Sequence, residues 1–157
     1  MASLVAASRV SLWRAPADVF ARLAGNWTLH RRADGRDLMT GQASLTPNND
    51  GSLAYRETGM ARYADGQSFA AERTYLYRAG PSGFSVFFSE NPPRLFHDII
   101  LNDANGTLTG EASHLCRDDL YRSRYSFLPD GTFTTRHDVR GPRKNYVLDT
   151  SYSRIGD

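Results

Sequence analysis

A handful of side chains in this sequence have the types and spacing that chemistry requires. They are His97, the pair His114 and Cys116 two residues apart, Glu57, Arg73, Tyr121 and the single lysine, Lys144. His97 or His114 has the proton affinity of a general base near neutral pH, with Glu57 or Tyr121 as its acid partner. Arg73 would then stabilise negative charge developing on a substrate. That set describes a cofactor-free isomerase, cyclase or hydratase. Imidazole and thiolate also suit zinc or copper. The His-x-Cys spacing carries little specificity for metal, however, and His97 stands remote from it, so no metal and no cofactor is expected. Cys116 as a nucleophile would need a histidine close enough to stabilise its thiolate. Residues i and i+2 of a strand have their roots roughly 6.5–7 Å apart, a tolerable distance for His114; the alternative is an inert buried thiol. Lys144 follows Gly141-Pro142 and Arg143. A neighbouring cation lowers an ammonium pKa and favours Schiff-base chemistry; the alternative is a solvated cation bridging a carboxylate. His30 and His137 read as ordinary half-exposed strand residues.

The elements that must position these groups are strands. Pro16, Asp18 and the apolar set Val19, Phe20 and Leu23 predict one short helix over Pro16–Ala24, stopped by Gly25. Beyond Gly25, apolar residues recur at every second position. Turn signals such as Asp34-Gly35, Asp50-Gly51, Asp65-Gly66, Asn105-Gly106 and Asp130-Gly131 interrupt them at short intervals. About ten strands result: Trp27–Arg32, Met39–Leu45, Ser52–Ala61, Gln67–Arg78, Phe84–Ser89, Arg94–Leu101, Thr107–Cys116, Leu120–Leu128, Thr132–Arg140 and Tyr146–Arg154. No segment of helical period separates them, which excludes a parallel βαβ sheet. Successive hairpins form an up-and-down meander, and a meander this long removes its edges by closing. A two-sheet sandwich is the rival arrangement. Residues 1–15 read as a lead-in and 16–157 as a single domain.

Alternation also sorts side chains by face. Tyr55 and Glu57 share one face, as do Arg73, Tyr75 and Tyr77, and likewise His114 and Cys116. If these faces point inward, Glu57 and Arg73 enter the barrel on adjacent strands; outside, they form a solvated pair of little energetic weight. In the inward reading Tyr55, Tyr75, Phe88, Tyr121 and Tyr125 form aromatic walls, and Glu57, Arg73, His97 and His114 orient a ligand. Arg143 and Tyr146 add donors suited to a carboxylate or phosphate.

Composition narrows the partners. The 157 residues carry 19 basic and 17 acidic side chains, a net charge of +2, with the signs interspersed. Nucleic acid wants a basic stripe and is not expected. One cysteine allows no internal disulfide and fits a reducing, cytoplasmic setting. The first thirteen residues lack a signal-peptide pattern, and no apolar run approaches the ~20 residues of a membrane helix. A small molecule is the expected partner, for a monomer or homodimer, with no membrane association.

Gly25-x-Trp27 directly after the short helix, together with Arg154 near the end of the last strand, resembles the calycin (lipocalin-like) barrels. That resemblance implies a tryptophan plugging the closed end and an arginine packed across its indole, a contact worth about 0.5–2 kcal/mol. The strings Phe96-His97, His114-Leu-Cys116-Arg-Asp118-Asp-Leu-Tyr121 and Gly141-Pro-Arg143-Lys144-Asn-Tyr146 resemble the family DUF6314, a calycin-like domain of unknown function. Tyr55-Arg-Glu57-Thr-Gly59 and Ala71-Glu-Arg73-Thr-Tyr75 fit the same pattern. The resemblance runs from about Gly25 to Arg154 and implies a fold but no activity. The expectation is therefore an all-β, closed antiparallel barrel with one short helix, holding a partly polar organic ligand inside. A pocket enzyme is the first alternative, and a haem- or metal-binding barrel the second.

Overall fold

The computed structural model describes residues 10–156. A 3-10 turn at Pro16–Asp18 leads into helix α1, Val19–Leu23. The Asp18 carboxylate accepts from the Ala15 amide at 3.0 Å and so fixes the entry to the turn. Eleven strands follow: β1 Gly25–Ala33, β2 Arg36–Pro47, β3 Leu53–Arg62, β4 Ser68–Gly80, β5 Gly83–Phe88, β6 Arg94–Ile100, β7 Asn102–Ala104, β8 Thr107–Cys116, β9 Asp119–Phe127, β10 Phe133–Arg140 and β11 Asn145–Arg154. Ten match the strands expected from alternation. The eleventh, β7, is a three-residue extension opposite the start of β8.

All strands are antiparallel in one sheet, in the order β6-β5-β4-β3-β2-β1-β11-β10-β9-β8-β7. The first strand pairs with the last, Trp27 opposite Arg154 and Leu29 opposite Tyr152. The two ends of the sheet meet where β8 packs beside β6, giving a nearly closed barrel. Gly110 permits that seam: a Cβ there would stand 2.7 Å from the Ile100 carbonyl oxygen and 2.6 Å from the Ile99 side chain.

One end is sealed by aromatic rings. Trp27 is fully buried and donates its indole N–H to the Leu23 carbonyl at 3.0 Å. Trp13 stacks on it with centroids 5.7 Å apart, and Phe127 and Phe133 pack edge-on against the two indoles. The Arg154 guanidinium lies 4.2 Å from the Trp27 ring, the packing that the resemblance to calycin barrels implies. It also donates to the carbonyls of Ala24 and Arg22, tying β11 to α1. Gly25 makes room for it, because a Cβ would come within 2.7 Å of its Nη1, and φ at Gly25 is +133°. Trp13 was not foreseen as core. Its indole bonds the Thr132 carbonyl at 3.1 Å, and the Leu12 amide bonds Pro129, so this stretch docks on the β9–β10 turn. Among the described residues, no helix is long and apolar enough to cross a membrane.

Candidate functional site

Inward-facing side chains form layers along the barrel axis. Above the aromatic seal lies a polar layer centred on Arg31 and Glu57, whose side chains are 7% and 2% exposed. The guanidinium forks onto the carboxylate at 2.7 and 2.8 Å, and its Nε donates to Thr150 Oγ1 at 2.8 Å. The Tyr55 hydroxyl donates to Glu57 at 2.7 Å and lies 2.9 Å from the Tyr152 hydroxyl. Burial opposes ionisation of Glu57, but the Arg31 fork and charge, the Tyr55 hydroxyl and the Arg73 charge together hold its carboxyl below the usual value. Burial likewise disfavours the Arg31 charge, but the Glu57 hydrogen bonds and the electrostatic pull of Tyr152, Glu57 and Tyr55 together outweigh it, so the pKa of this arginine is raised. With every polar atom of the pair engaged, the layer meets the condition under which a buried ion pair is tolerated.

Beside it stands a histidine–tyrosine group. The register slips between Val86 and Phe87 where β5 meets β6. That bulge breaks the alternation of β6, so the consecutive residues Phe96 and His97 are both buried. His97 Nε2 lies 2.9 Å from the Tyr125 hydroxyl, and His137 Nδ1 lies 2.7 Å from Ser123 Oγ. Burial, then the charges of His137 and His114, lower the pKa of His97 to about 3. Burial, then the cations Arg31 and Arg73, lower that of His137 to about 4. Both rings are neutral at neutral pH.

Above these layers the barrel opens into a cavity of about 230 Å³. Tyr75, Phe88, Phe96, Tyr121 and Tyr146 supply its aromatic wall, Arg73 and Arg94 its cations. Phe88 and Phe96 stack at 4.6 Å, and Arg94 lies 4.4 Å over Phe88. Arg94 is paired with Glu90 at 3.1 Å and Lys144 with Asp119 at 3.5 Å. Among the described residues Arg73 has no ion-pair partner.

Of the residues singled out from sequence, Arg73, Tyr75, Phe88, Cys116, Tyr121 and Tyr146 line this cavity. Tyr55, Glu57 and Tyr125 lie deeper, in the polar layers. His97 and His114 pack on Phe96, with centroids 4.1 and 5.5 Å from its ring. Arg143 and Lys144 sit exposed on the β10–β11 loop. Three readings need correction. Glu57 and Arg73 are direct cross-strand neighbours, but both Glu57 oxygens are claimed by Arg31, which the sequence reading passed over. His137 is no ordinary half-exposed residue, since it lines the cavity. Lys144 is no activated amine: hydrogen bonding to the Tyr121 hydroxyl, the Tyr121 charge and nearby Asp119 raise its pKa rather than lower it. Among the described residues no group of three or more His, Cys, Asp or Glu side chains is placed to hold a metal ion.

Comparison with curated proteins finds no match. A family match covers residues 23–154, from the end of α1 through Arg154, and so takes in the closing strands, the polar layers and the cavity wall together. The chain belongs to DUF6314, a family of unknown function.

Proposed function

We propose that the protein is a binding barrel that holds a small, partly polar organic molecule in its upper cavity. The observation that carries this reading is an aromatic-walled hollow at whose mouth Arg73 has no counter-ion among the described residues. An aromatic wall with a few convergent polar groups is the usual make-up of a small-molecule site. Drug-sized pockets run from roughly 300 to 1,000 Å³, and this cavity of about 230 Å³ suits something smaller. Base catalysis is less well supported. His97 and His137, with pKa values near 3 and 4, are weak bases at neutral pH, and Glu57 is tied into the fork with Arg31.

Native mass spectrometry of the purified protein and a thermal-shift screen across acids, alcohols, amides and amines test the proposal. A ligand at a hundred times its Kd adds about 2.7 kcal/mol, which at ~2–4 °C per kcal/mol raises Tm by roughly 5–11 °C. Cys116→Trp fills the cavity mouth and should abolish the shift while the unliganded protein melts near the wild-type temperature. A wild-type protein indifferent to every class, or a Cys116→Trp protein that responds as wild type does, would overturn it.

A further inference from the structure

The polar groups that border the cavity are nearly all donors. Arg73 and Arg94 can only donate, and among the described residues no Asp, Glu, Asn or Gln side chain lines the hollow. Arg94 is already engaged with Glu90 at 3.1 and 3.3 Å. The Tyr121 hydroxyl accepts from Lys144 Nζ at 3.2 Å, which leaves its own proton without an acceptor among the described residues. The Tyr146 phenol can donate as well. Donors withdrawn from water need acceptors in exchange, so this hollow favours a guest that brings oxygen lone pairs.

His137 adds one more donor, because its proton can be placed. It lies on the inward face of β10 between Thr135 and Val139, both buried, and its ring borders the cavity. Its Nδ1 stands 2.7 Å from Ser123 Oγ, and that hydroxyl has no other hydrogen-bond partner among the described residues. Ser123 is 2% exposed, so surface water does not serve it. The ring is neutral at neutral pH and carries one N–H and one acceptor nitrogen. A proton on Nδ1 would leave the Ser123 hydroxyl with an unused O–H in a buried site. Ser123 therefore donates to Nδ1, and the imidazole proton sits on Nε2. That nitrogen has no partner among the described residues and is not sealed from solvent-sized space. On a ring that borders the cavity, it opens there. The charge of the guest follows from the cations: Glu90 answers Arg94 and Asp119 answers Lys144, so Arg73 alone asks for one negative charge. A cavity of about 150 Å³ admits benzene; one of about 230 Å³ has room for a single ring with a carboxylate.

We propose that the ligand class is an aromatic monocarboxylate of single-ring size, its charge answered by Arg73, its oxygens taking the cavity's unused donors, the Nε2–H of His137 among them, and its ring lying against the wall of Tyr75, Phe88 and Phe96. This assignment rests on the binding reading above and names the chemical class that the site selects. Isothermal titration at pH 7.5 uses five probes: benzoate, benzamide, benzylamine, acetate and phenyl phosphate. Benzoate should bind tightest. Benzamide, without the charge, and acetate, without the ring, should each be weaker by about tenfold or more. Benzylamine, a cation and a donor, should give no measurable heat. Phenyl phosphate, a near-dianion facing one unpaired arginine, should bind no tighter than benzoate. Arg73→Gln should weaken benzoate about fivefold or more and leave benzamide within about twofold. His137→Asn keeps a group facing Ser123 but removes the Nε2 donor; it should weaken benzoate and benzamide alike, since both present an acceptor oxygen. Nitrogen-15 NMR of the unliganded wild-type protein should show His137 protonated on Nε2. That measurement and the five wild-type titrations decide the matter even where a variant fails to fold. Benzamide, benzylamine or acetate binding as tightly as benzoate, phenyl phosphate binding tighter, an Arg73→Gln protein that binds benzoate as wild type does, or a His137 proton on Nδ1 overturns the assignment. If benzoate fails while neutral or cationic fragments perturb the NMR signals of cavity residues, the ligand class is wrong and the binding reading survives. If no fragment perturbs the cavity, both fall.

Discussion

Replacing Glu57 with leucine isolates the polar layer. The substitution leaves the Arg31 guanidinium, 7% exposed, without the carboxylate it meets at 2.7 and 2.8 Å. Arginine does not escape by losing its proton. Of its bonds to other side chains, the one to Thr150 Oγ1 at 2.8 Å and a weak one to Met39 Sδ at 3.9 Å remain. Tyr55 loses its acceptor but keeps the Tyr152 hydroxyl at 2.9 Å. Removing one partner of a buried pair costs about 3–5 kcal/mol, which at ~2–4 °C per kcal/mol lowers Tm by roughly 6–20 °C. Arg31→Met combined with Glu57→Leu removes both charges and should recover most of that loss, since an apolar replacement of a whole buried pair is often neutral or better. Urea unfolding followed by tryptophan fluorescence is the assay, because Trp13 and Trp27 report from the sealed end, away from the substitution. A single variant within about 1 kcal/mol of wild type, or a double variant no more stable than the single, refutes the reasoning.

Acid should destabilise the protein before its carboxylates titrate. His97 and His137 have folded values near 3 and 4 against 6.5 for the free side chain, so the unfolded chain binds protons that the folded one refuses. Their contribution is complete above about pH 6.5 and is lost as pH falls toward those values, each histidine steepening the slope by up to about 1.4 kcal/mol per pH unit. Glu57, held below its usual value, adds a loss only under about pH 4.5. A urea midpoint flat between pH 7 and pH 5 would contradict this. Gly110→Val should pry open the β6–β8 seam and cost several kcal/mol, because the new Cβ alone meets backbone at 2.7 Å. Enhanced hydrogen exchange confined to β6 and β8 would show it, and wild-type protection there would count against the seam. Arg154→Ala removes the contact with Trp27 and the bonds to α1, an expected loss of about 1–2 kcal/mol by equilibrium denaturation. A lysine at position 154 should not restore it, since it lacks the planar face.

The barrel was legible because two signals repeat along the chain: period-two alternation and Asp-Gly or Asn-Gly turns. Those place ten strands to within three residues at either end, and the Trp27–Arg154 contact, implied by the calycin resemblance, is held in place by the pairing of first strand with last. What parity could have revealed but did not was Arg31. Trp27 and Leu29 point inward, so the residue two further on must do the same. His137 was open to the same logic from Phe133 and Val139, both buried. The β5–β6 bulge was beyond alternation, since nothing in Leu95-Phe96-His97 marks the point where the period fails. Trp13 lay hidden for a different reason: it belongs to no strand, and its burial depends on long-range contacts with Thr132 and Phe127.

An up-and-down meander whose first and last strands are neighbours has a division of labour built into its connectivity. The strand that opens the barrel and the one that completes it meet at the sealed end, where Ile155 still bonds back to Asn26. The rim of the hollow is made by hairpin tips alone: those joining β1 to β2, β3 to β4, β5 to β6, β8 to β9 and β10 to β11. Substitution, lengthening or exchange of those tips would retune what enters the barrel while leaving its closure untouched. A protein attached just past β11 would hang from the base and leave the entrance unobstructed.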